Sequence, residues 1–288
     1  MTSIQLKQHL EFNKSLSGIL DVLKIAASVQ LRQLQSSALL PETFPRHLEA
    51  CFQMLASHNE VAHPFLSRRD HRPACHVVVT SEEGFTGELN TLLTEAALNA
   101  RQAARGDRLV VLGARGASTL EELGESFVYL PGVSGEPGRN EVRRFKNYLV
   151  NEYLQGEFGE ASVIYAKFIS VGSHQIEAKR LLPCPALFGG SESEDEALPI
   201  EPTAERVVEG LVSLWLEQTI AAIFRSSKLA ELSARLMHLE GSDQELSRIN
   251  QQLGLRYVRH LHALADKAIR EISASRLAGA REYEVSDG

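Results

Sequence analysis

The chain has 288 residues, 43% of them hydrophobic, and a formal net charge of −7. This length permits one large domain or two smaller ones, the apolar content excludes a largely disordered protein, and the mildly acidic balance argues against general nucleic-acid binding, which needs a basic field. Cys51, Cys75 and Cys184 form no CxxC pair, which fits a reducing compartment better than a disulfide scaffold. No signal peptide is expected. The apolar runs break short of the roughly twenty residues that span a bilayer, so membrane attachment is expected only through partners.

From the N-terminus, Leu6, Leu10, Leu16, Leu20, Leu23, Ala27, Leu31 and Leu34 advance mostly in threes and fours, the period of one apolar helix face. Residues 1–63 are read as an N-terminal shaft helix. The period breaks in "PFLSRRDHRP", Pro64 to Pro73, and the buried strand "CHVVVT" follows. The helix "NTLLTEAALNARQAAR" and the strand "RLVVLG", Arg108 to Gly113, complete a βαβ unit, and "SFVYLP", Ser126 to Pro131, reads as another interior strand. A helix over Glu141 to Gln155 precedes "ASVIYAKFIS" and "IEAKRLLPCP", two extended segments expected to pair. Residues 73–190 thus form an α/β head with a mostly parallel, Rossmann-like sheet. The stretch 191–203, rich in Ser, Pro and consecutive acids, reads as an acidic loop.

The remaining residues, 204–288, read as a second shaft helix. From Glu205 to about Glu282 there is no proline, and only Gly210, Gly241, Gly254 and Gly279 weaken the helix. At about 1.5 Å per residue such a stretch would be roughly 115 Å long, so part of it should protrude. Leu232, Leu239, Leu246 and Leu253 recur every seven residues, interleaved with Leu229, Leu236, Asp243, Asn250, Tyr257 and Leu264. This is a coiled-coil seam with polar flaws at Asp243 and Asn250, and polar seam residues fix register at a cost in stability. Beyond Leu253 the stripe moves to Leu261, Leu264, Ala268 and Ile272. A helix with one apolar stripe needs a partner, so the two terminal helices are expected to pair.

Chemistry is harder to find. In "SEEGFTGELN", Gly84 and Gly87 follow a strand and precede a helix, but there is no third spaced glycine and no GxxxxGK[ST], and Glu82, Glu83 and Glu88 would repel a polyphosphate. In "GARGAS", Gly113 and Gly116 flank Arg115 at a strand end. Structural turns are the preferred reading of all four glycines, and no cofactor is implied. His71, Cys75 and His76 have the types of metal ligands, but neighbours on a strand point to opposite faces, so no metal site is expected. The pairs Glu82/Glu83 and Glu121/Glu122 read as solvated charges, and neither a G-x-S-x-G elbow nor an HExxH pair occurs.

Several separated stretches carry a family resemblance. "KIAASVQLRQLQ" is similar to KMVAAxKLRRAQ of the γ subunits of rotary F-type ATP synthases, "SEEGFTGELN" to their SDRGLCGGLN, and "VVLGARG" to their IGRKG. "VIYAKFIS" with "RLLPCP" resembles the YTKF and LLPL pair, and "EPTAERVVEGLVSLWLE" resembles EPSPEEVLDALLPRYLE. "SARLMHLEGSDQEL" is similar to AARMxAMxxATxNA, and "YVRHLHALADKAIREISA" to YNRxRQAxITxEIxEI. Their order and spacing from about Ile4 to Gly279 are more specific than any one piece.

The resemblance implies a central-stalk rotor: an antiparallel coiled coil of terminal helices inside a ring of α and β subunits, with the α/β domain outside it. Rotation couples ATP chemistry at β-subunit sites to ion movement through the membrane sector. It implies α, β and ε subunits and the membrane c-ring as partners, a peripheral position on the cytoplasmic face of a bacterial inner membrane, and no catalytic residues in this chain. The family's Arg-Gln pair corresponds here to Leu261 and His262, and its Thr to Asp266, positions that contact a β-subunit loop. Leu261 cannot hydrogen-bond through its side chain, so that contact must be lost or remade. Leu23 stands where the family carries a methionine, Thr86 replaces a cysteine and Glu88 a glycine. These departures suggest a divergent bacterial member from an alternative F-type ATPase. Among the shaft charges Lys24, Arg32, Arg225, Lys228, Arg235, Arg248, Arg256 and Arg259, ordinary solvation competes with ring contact, and Arg235 and Arg259 are the leading contact candidates. The partner-contact set is therefore Leu23, Lys24, Arg32, Arg235, Asp243, Arg259, Leu261, His262 and Asp266. The competing reading is a helical-hairpin scaffold whose α/β head binds another protein. Coupling ion and direction are not encoded here.

Overall fold

The computed structural model describes residues 2–37, 48, 51, 64–65, 71–102, 106–184 and 203–286. Most of 38–63, and the expected acidic loop up to residue 202, lie outside the described residues. The chain divides into two compact units, Ala27–His238 and the combination of Met1–Ala26 with Leu239–Gly288.

In Ala27–His238 the sheet comprises β1 (Ala74–Val79), β2 (Arg108–Leu112), β3 (Val128–Leu130), β4 (Glu160–Ser170) and β5 (Ser173–Leu182), in the order β3-β2-β1-β4-β5. The pairs β1/β2, β1/β4 and β2/β3 are parallel, and β4/β5 is an antiparallel hairpin, as the adjacency of the last two apolar runs predicts. Helices α2 (Leu89–Gln102), α3 (Ala114–Glu122) and α4 (Arg139–Gln155) make the crossovers. Chain direction across the sheet reverses after β3, because β4 lies on the far side of β1. With right-handed crossovers, that reversal puts α2 and α3 on one face and α4 on the other.

The two faces have separate cores. Alternate residues of the inner strands, Cys75, Val77 and Val79 on β1 and Val163 and Tyr165 on β4, pack with Val142, Phe145, Leu149 and Tyr153 of α4. The same cluster buries Val208, Val212, Leu216, Ile220 and Phe224 from the long helix α5 (Ala204–Ser286). By length and composition α5 is apolar enough to cross a membrane, contrary to the expectation that every apolar run stops short of one, while its residues from Val208 to Phe224 pack in this core. On the opposite face Val78, Val111 and Ile164 meet Leu93 and Ala97 of α2, Leu120 of α3 and Ala230 of α5.

Helix α3 corrects the expectation of a tight turn over "GARGAS". Gly113 precedes the helix and adopts φ 106°, a turn conformation, whereas Gly116 lies inside α3. Gly116 is there for proximity: the Thr80 hydroxyl accepts its N–H at 3.1 Å, and an added Cβ would lie 2.5 Å from that oxygen. Thr80 Oγ1 also donates to Leu112 O at 2.8 Å, so one buried hydroxyl joins the ends of β1 and β2 to the start of α3.

Helix α1 (Ser3–Ser36) contributes to both units. Within Ala27–His238, its Leu31 and Leu34 pack with Leu229 and Leu232 of α5. Arg225 of α5 reaches the end of α1, donating to Leu34 O and, at 2.7 Å and 2.9 Å, to Ser37 Oγ and Ser37 O. A cation on those last carbonyls satisfies acceptors that the helix itself leaves open and complements the negative end of its dipole.

At Gly113 an added Cβ would lie 2.3 Å from Thr80 O, on a backbone that L side chains rarely adopt. Gly113→Ala is therefore expected to destabilise the fold by about 2–4 kcal/mol in urea unfolding. A change within experimental error of zero would show that this turn is not under constraint.

Candidate functional site: the paired helices and the anchorage of α5

In the unit formed by Met1–Ala26 and Leu239–Gly288, α1 and α5 pair antiparallel. Leu20, Leu239 and Leu246 are buried, with Leu16 and Leu23 packed against them. Both polar flaws of the seam are matched across it. Asn13 Nδ2 donates to Asn250 Oδ1 at 2.9 Å. Asp243 accepts from Ser17 Oγ at 3.1 Å and from Lys24 Nζ at 2.6 Å. Lys24 also lies 3.0 Å from Asp21 and 3.7 Å from Glu240, so one cation serves three carboxylates. The hydrogen bonds from Lys24 and Ser17 hold the Asp243 carboxyl below its ordinary range, and the Asp243 and Asp21 carboxylates raise Lys24 above its own.

Asn13 faces Asn250, and shielding on α5 fades beyond that point: Asn250, Leu253, Tyr257 and His260 are half-buried, and every residue from Leu261 to Ala274 is exposed. Leu255, Val258, Leu261 and Leu264 are exposed apolar side chains on this segment, and Phe12, Ile19 and Val22 are exposed on α1.

In Ala27–His238, α5 crosses the carboxyl ends of β1 and β4. Ser226 Oγ accepts the Phe168 N–H at 3.0 Å, and Ser233 Oγ accepts the Gly172 N–H at 2.8 Å. On the other side of the helix, Arg235 donates to Gly84 O at 3.1 Å and meets Glu83 at 3.1 Å, while Lys228 donates to Val133 O at 3.2 Å. Glu231 lies between these cations, 2.9 Å from Lys228 and 2.7 Å from Arg235, and all three are buried. Burial pushes the Glu231 carboxyl above its ordinary range, against the pull of the two cations. In open α/β sheets, ligands bind outside the carboxyl ends of the strands where the strand order reverses. Here α5 fills that crevice.

The loop from Ser81 to Gly87 is built from its own side chains. Asn90 accepts the Ser81 N–H at 3.1 Å and donates to Ser81 Oγ and Thr86 Oγ1 at 2.8 Å and 2.9 Å. Glu82, expected to be solvated, instead accepts the Ala114 N–H at 3.2 Å and the Gly132 N–H. Its carboxylate occupies the start of α3, where an anion complements the helix dipole. Glu83 remains exposed but meets Arg235. Gly87 has a left-handed backbone, Gly84 carries the carbonyl that binds Arg235, and Phe85 is exposed at φ 64°. His71 is exposed, Cys75 is buried in the core, and His76 bridges Ser162 and Asp107 at 3.1 Å each. Among the described residues no group of three His, Cys, Asp or Glu side chains converges to hold a metal.

A family profile described as ATP synthase matches residues 2–278. The ATP synthase gamma chain of Clostridium acetobutylicum is 23% identical over 274 residues, covering 93% of this chain and 95% of its own. That of Clostridium novyi is 27% identical over 205 residues, with 68% and 70% covered. The chain belongs to the ATP synthase γ-subunit family. The Euglena gracilis mitochondrial ATP synthase rotor has a similar chain fold, with TM-score 0.65 at 14% identity and coverage of 91% of this chain and 98% of that one. A second Euglena structure of the OSCP/F1/c-ring assembly gives TM-score 0.69 at 13% identity, covering 96% and 94%.

Within this γ-family chain the nine contact candidates fall into two groups. Arg32, Arg259, Leu261, His262 and Asp266 are exposed. Lys24 and Asp243 are committed to each other, Leu23 packs in the seam, and Arg235 is buried against Glu231. Arg235 was expected at a partner surface; the structure turns it inward, where it meets Gly84 O and Glu83 in the loop after β1 and Glu231 on its own helix. Sequence reading gave no role to Asn13, Ser17 or Glu231 and took Glu82 for a solvated charge. A polar residue at a leucine position of α5 was the available signal for a polar partner on α1, but its identity depends on register.

Asn250→Leu alone should destabilise the helix pair by leaving the Asn13 amide unmatched. Asn13→Leu with Asn250→Leu should recover it, giving a coupling of roughly 0.5–3 kcal/mol in thermal melts. Additive single effects would show that the amides do not interact. A carboxyl held low in the folded state stabilises fully above its unfolded value and loses that contribution as pH falls through the folded one. Acidification below about pH 4 should therefore loosen the wild-type pair more than Asp243→Asn, read by helical circular dichroism melting. Matching acid profiles for the two proteins would reject this role. In the α/β unit, Glu231→Gln should cost about 3–5 kcal/mol by leaving two buried cations without their shared carboxylate, and unchanged urea unfolding would argue against it.

Proposed function

We propose that this chain is the central-stalk rotor subunit of an F-type ATP synthase or ATPase. Rotation of its paired helices within a ring of α and β subunits couples nucleotide chemistry at β-subunit sites to ion translocation. Membership of the γ-subunit family over residues 2–278 carries the reading. The antiparallel pair with matched polar seam positions suits a part that must bear torsion without slipping. The exposed residues Leu261, His262 and Asp266 suit contact with the ring, with the family's polar contact remade by His262 and Asp266 around an apolar Leu261. Under this proposal the chain has no catalytic residues of its own. It works with α, β and ε subunits and the c-ring, peripheral to the cytoplasmic face of a bacterial inner membrane, in a divergent and alternative form of the enzyme.

Purification with α and β subunits of the same source is expected to give a complex whose ATPase activity depends on this chain. Leu261→Arg, which places a charge on the exposed segment, should lower that activity while leaving the helix content of the free chain unchanged. If the α and β subunits assemble and turn over equally well without the chain, the rotor reading fails and the helical-hairpin scaffold becomes the better account.

A further inference from the structure

A cleft of about 200 Å³ is lined by Gln30, Gln33 and Leu34 of α1, Gly135 and Glu136 of the loop after β3, and Lys228 and Leu232 of α5. Lys228 is only 4% exposed. Its ammonium has three donors, of which two are used, on Val133 O at 3.2 Å and Glu231 Oε1 at 2.9 Å. Among the described residues nothing accepts the third. Glu231 is shared with Arg235, so the buried group carries two cations and one carboxylate. Glu83, the other partner of Arg235, is 63% exposed and largely screened by water.

The remaining polar groups add further donors, beside the acceptor oxygens of the same glutamine amides. The side-chain amides of Gln30 and Gln33 stand three residues apart on one face of α1. The backbone N–H groups of Gly135 and Glu136 donate to no described residue. Glu136 is the exception in sign, but it is exposed and its carboxylate can stay in water. An apolar occupant would strand the third Lys228 N–H, whereas an oxyanion would use it.

We propose that this cleft is a binding site for a small oxyanion of the phosphate class. Lys228 supplies the charge, the amides of Gln30 and Gln33 and the loop N–H groups supply donors from other directions, and Leu34 and Leu232 restrict water. A bound oxyanion would join α1, α5 and the loop after β3 through shared hydrogen bonds. The site is independent of the rotor reading and is tested without ATPase activity.

The test is a titration of the full-length protein with inorganic phosphate at constant ionic strength, followed by phosphorus NMR line broadening and by Tm. Saturable binding in the millimolar range, competed by sulfate, is expected, with a rise in Tm that tracks occupancy. Lys228→Met should abolish binding. Because that change also removes a buried ion-pair member, Gln33→Glu is the second variant: it leaves the buried pairs intact, adds a like charge at the exposed rim, and should weaken binding about tenfold. No saturation in the wild type, or equal binding by wild type and Gln33→Glu, overturns the proposal. Retained binding in Lys228→Met overturns it too, since the anion would then sit elsewhere.

Discussion

The α/β unit depends on α5 closing the crevice at the carboxyl ends of β1 and β4. Everything near that crevice is arranged to receive a helix. Serines at 226 and 233 take the N–H groups of Phe168 and Gly172, and Arg235 and Lys228 take the carbonyls of Gly84 and Val133. A doubly wound sheet leaves unpaired backbone groups at this point, which a ligand commonly satisfies. Here side chains of the chain itself do so. The start of α3 is treated alike, since the Glu82 carboxylate takes the place an external anion would occupy. The sheet has the strand reversal at which such folds bind ligands, and here side chains of the chain itself occupy both the crevice and the start of α3.

The charge at the centre of this contact is costly to bury. Lys228, Glu231 and Arg235 are each less than a tenth exposed, and a buried pair is seldom more stable than a well-packed apolar replacement. Its value is directional. Leucines at these positions would let α5 slide or turn against the sheet with little change in buried area, whereas each cation has a fixed carbonyl and a fixed carboxylate. The helix pair applies the same rule on a smaller scale. Leu239 and Leu246 supply the attraction, and Asn13 with Asn250 and Lys24 with Asp243 decide which residues face each other.

These two levels explain what the sequence could reveal. Strands β1, β2 and β4 and the seam of α5 were legible because burial imposes a period, and period survives in a single sequence. Helix α3 was missed because one glycine precedes it and another sits in its first turn, a spacing that normally argues for a bend, while the reason for Gly116 is a hydroxyl thirty-six residues away in the chain. Glu82 was misread for a similar reason: an acid beside another acid looks solvated until α3 is placed opposite it. Arg235 stood on the correct helix, but its direction depends on which loop packs there. Residues whose role depends on one distant partner leave no periodic trace.

The polar seam also bears on the rotor reading. A one-heptad slip of α1 along α5 would displace every contact by about 10 Å; it would bring Leu16 or Gln30 to the place of Leu23 and Ala27 or Asn13 to the place of Leu20, so apolar packing opposes it only in part. It would also separate Asn13 from Asn250 and leave Asp243 facing a different residue, stranding polar groups in a half-buried seam. A simple structural hairpin gains little from this protection, because slipped forms seldom impair it. A part that carries torsion needs its two strands to keep one register under load, and resistance to slip is worth more there than the stability that two additional leucines would provide.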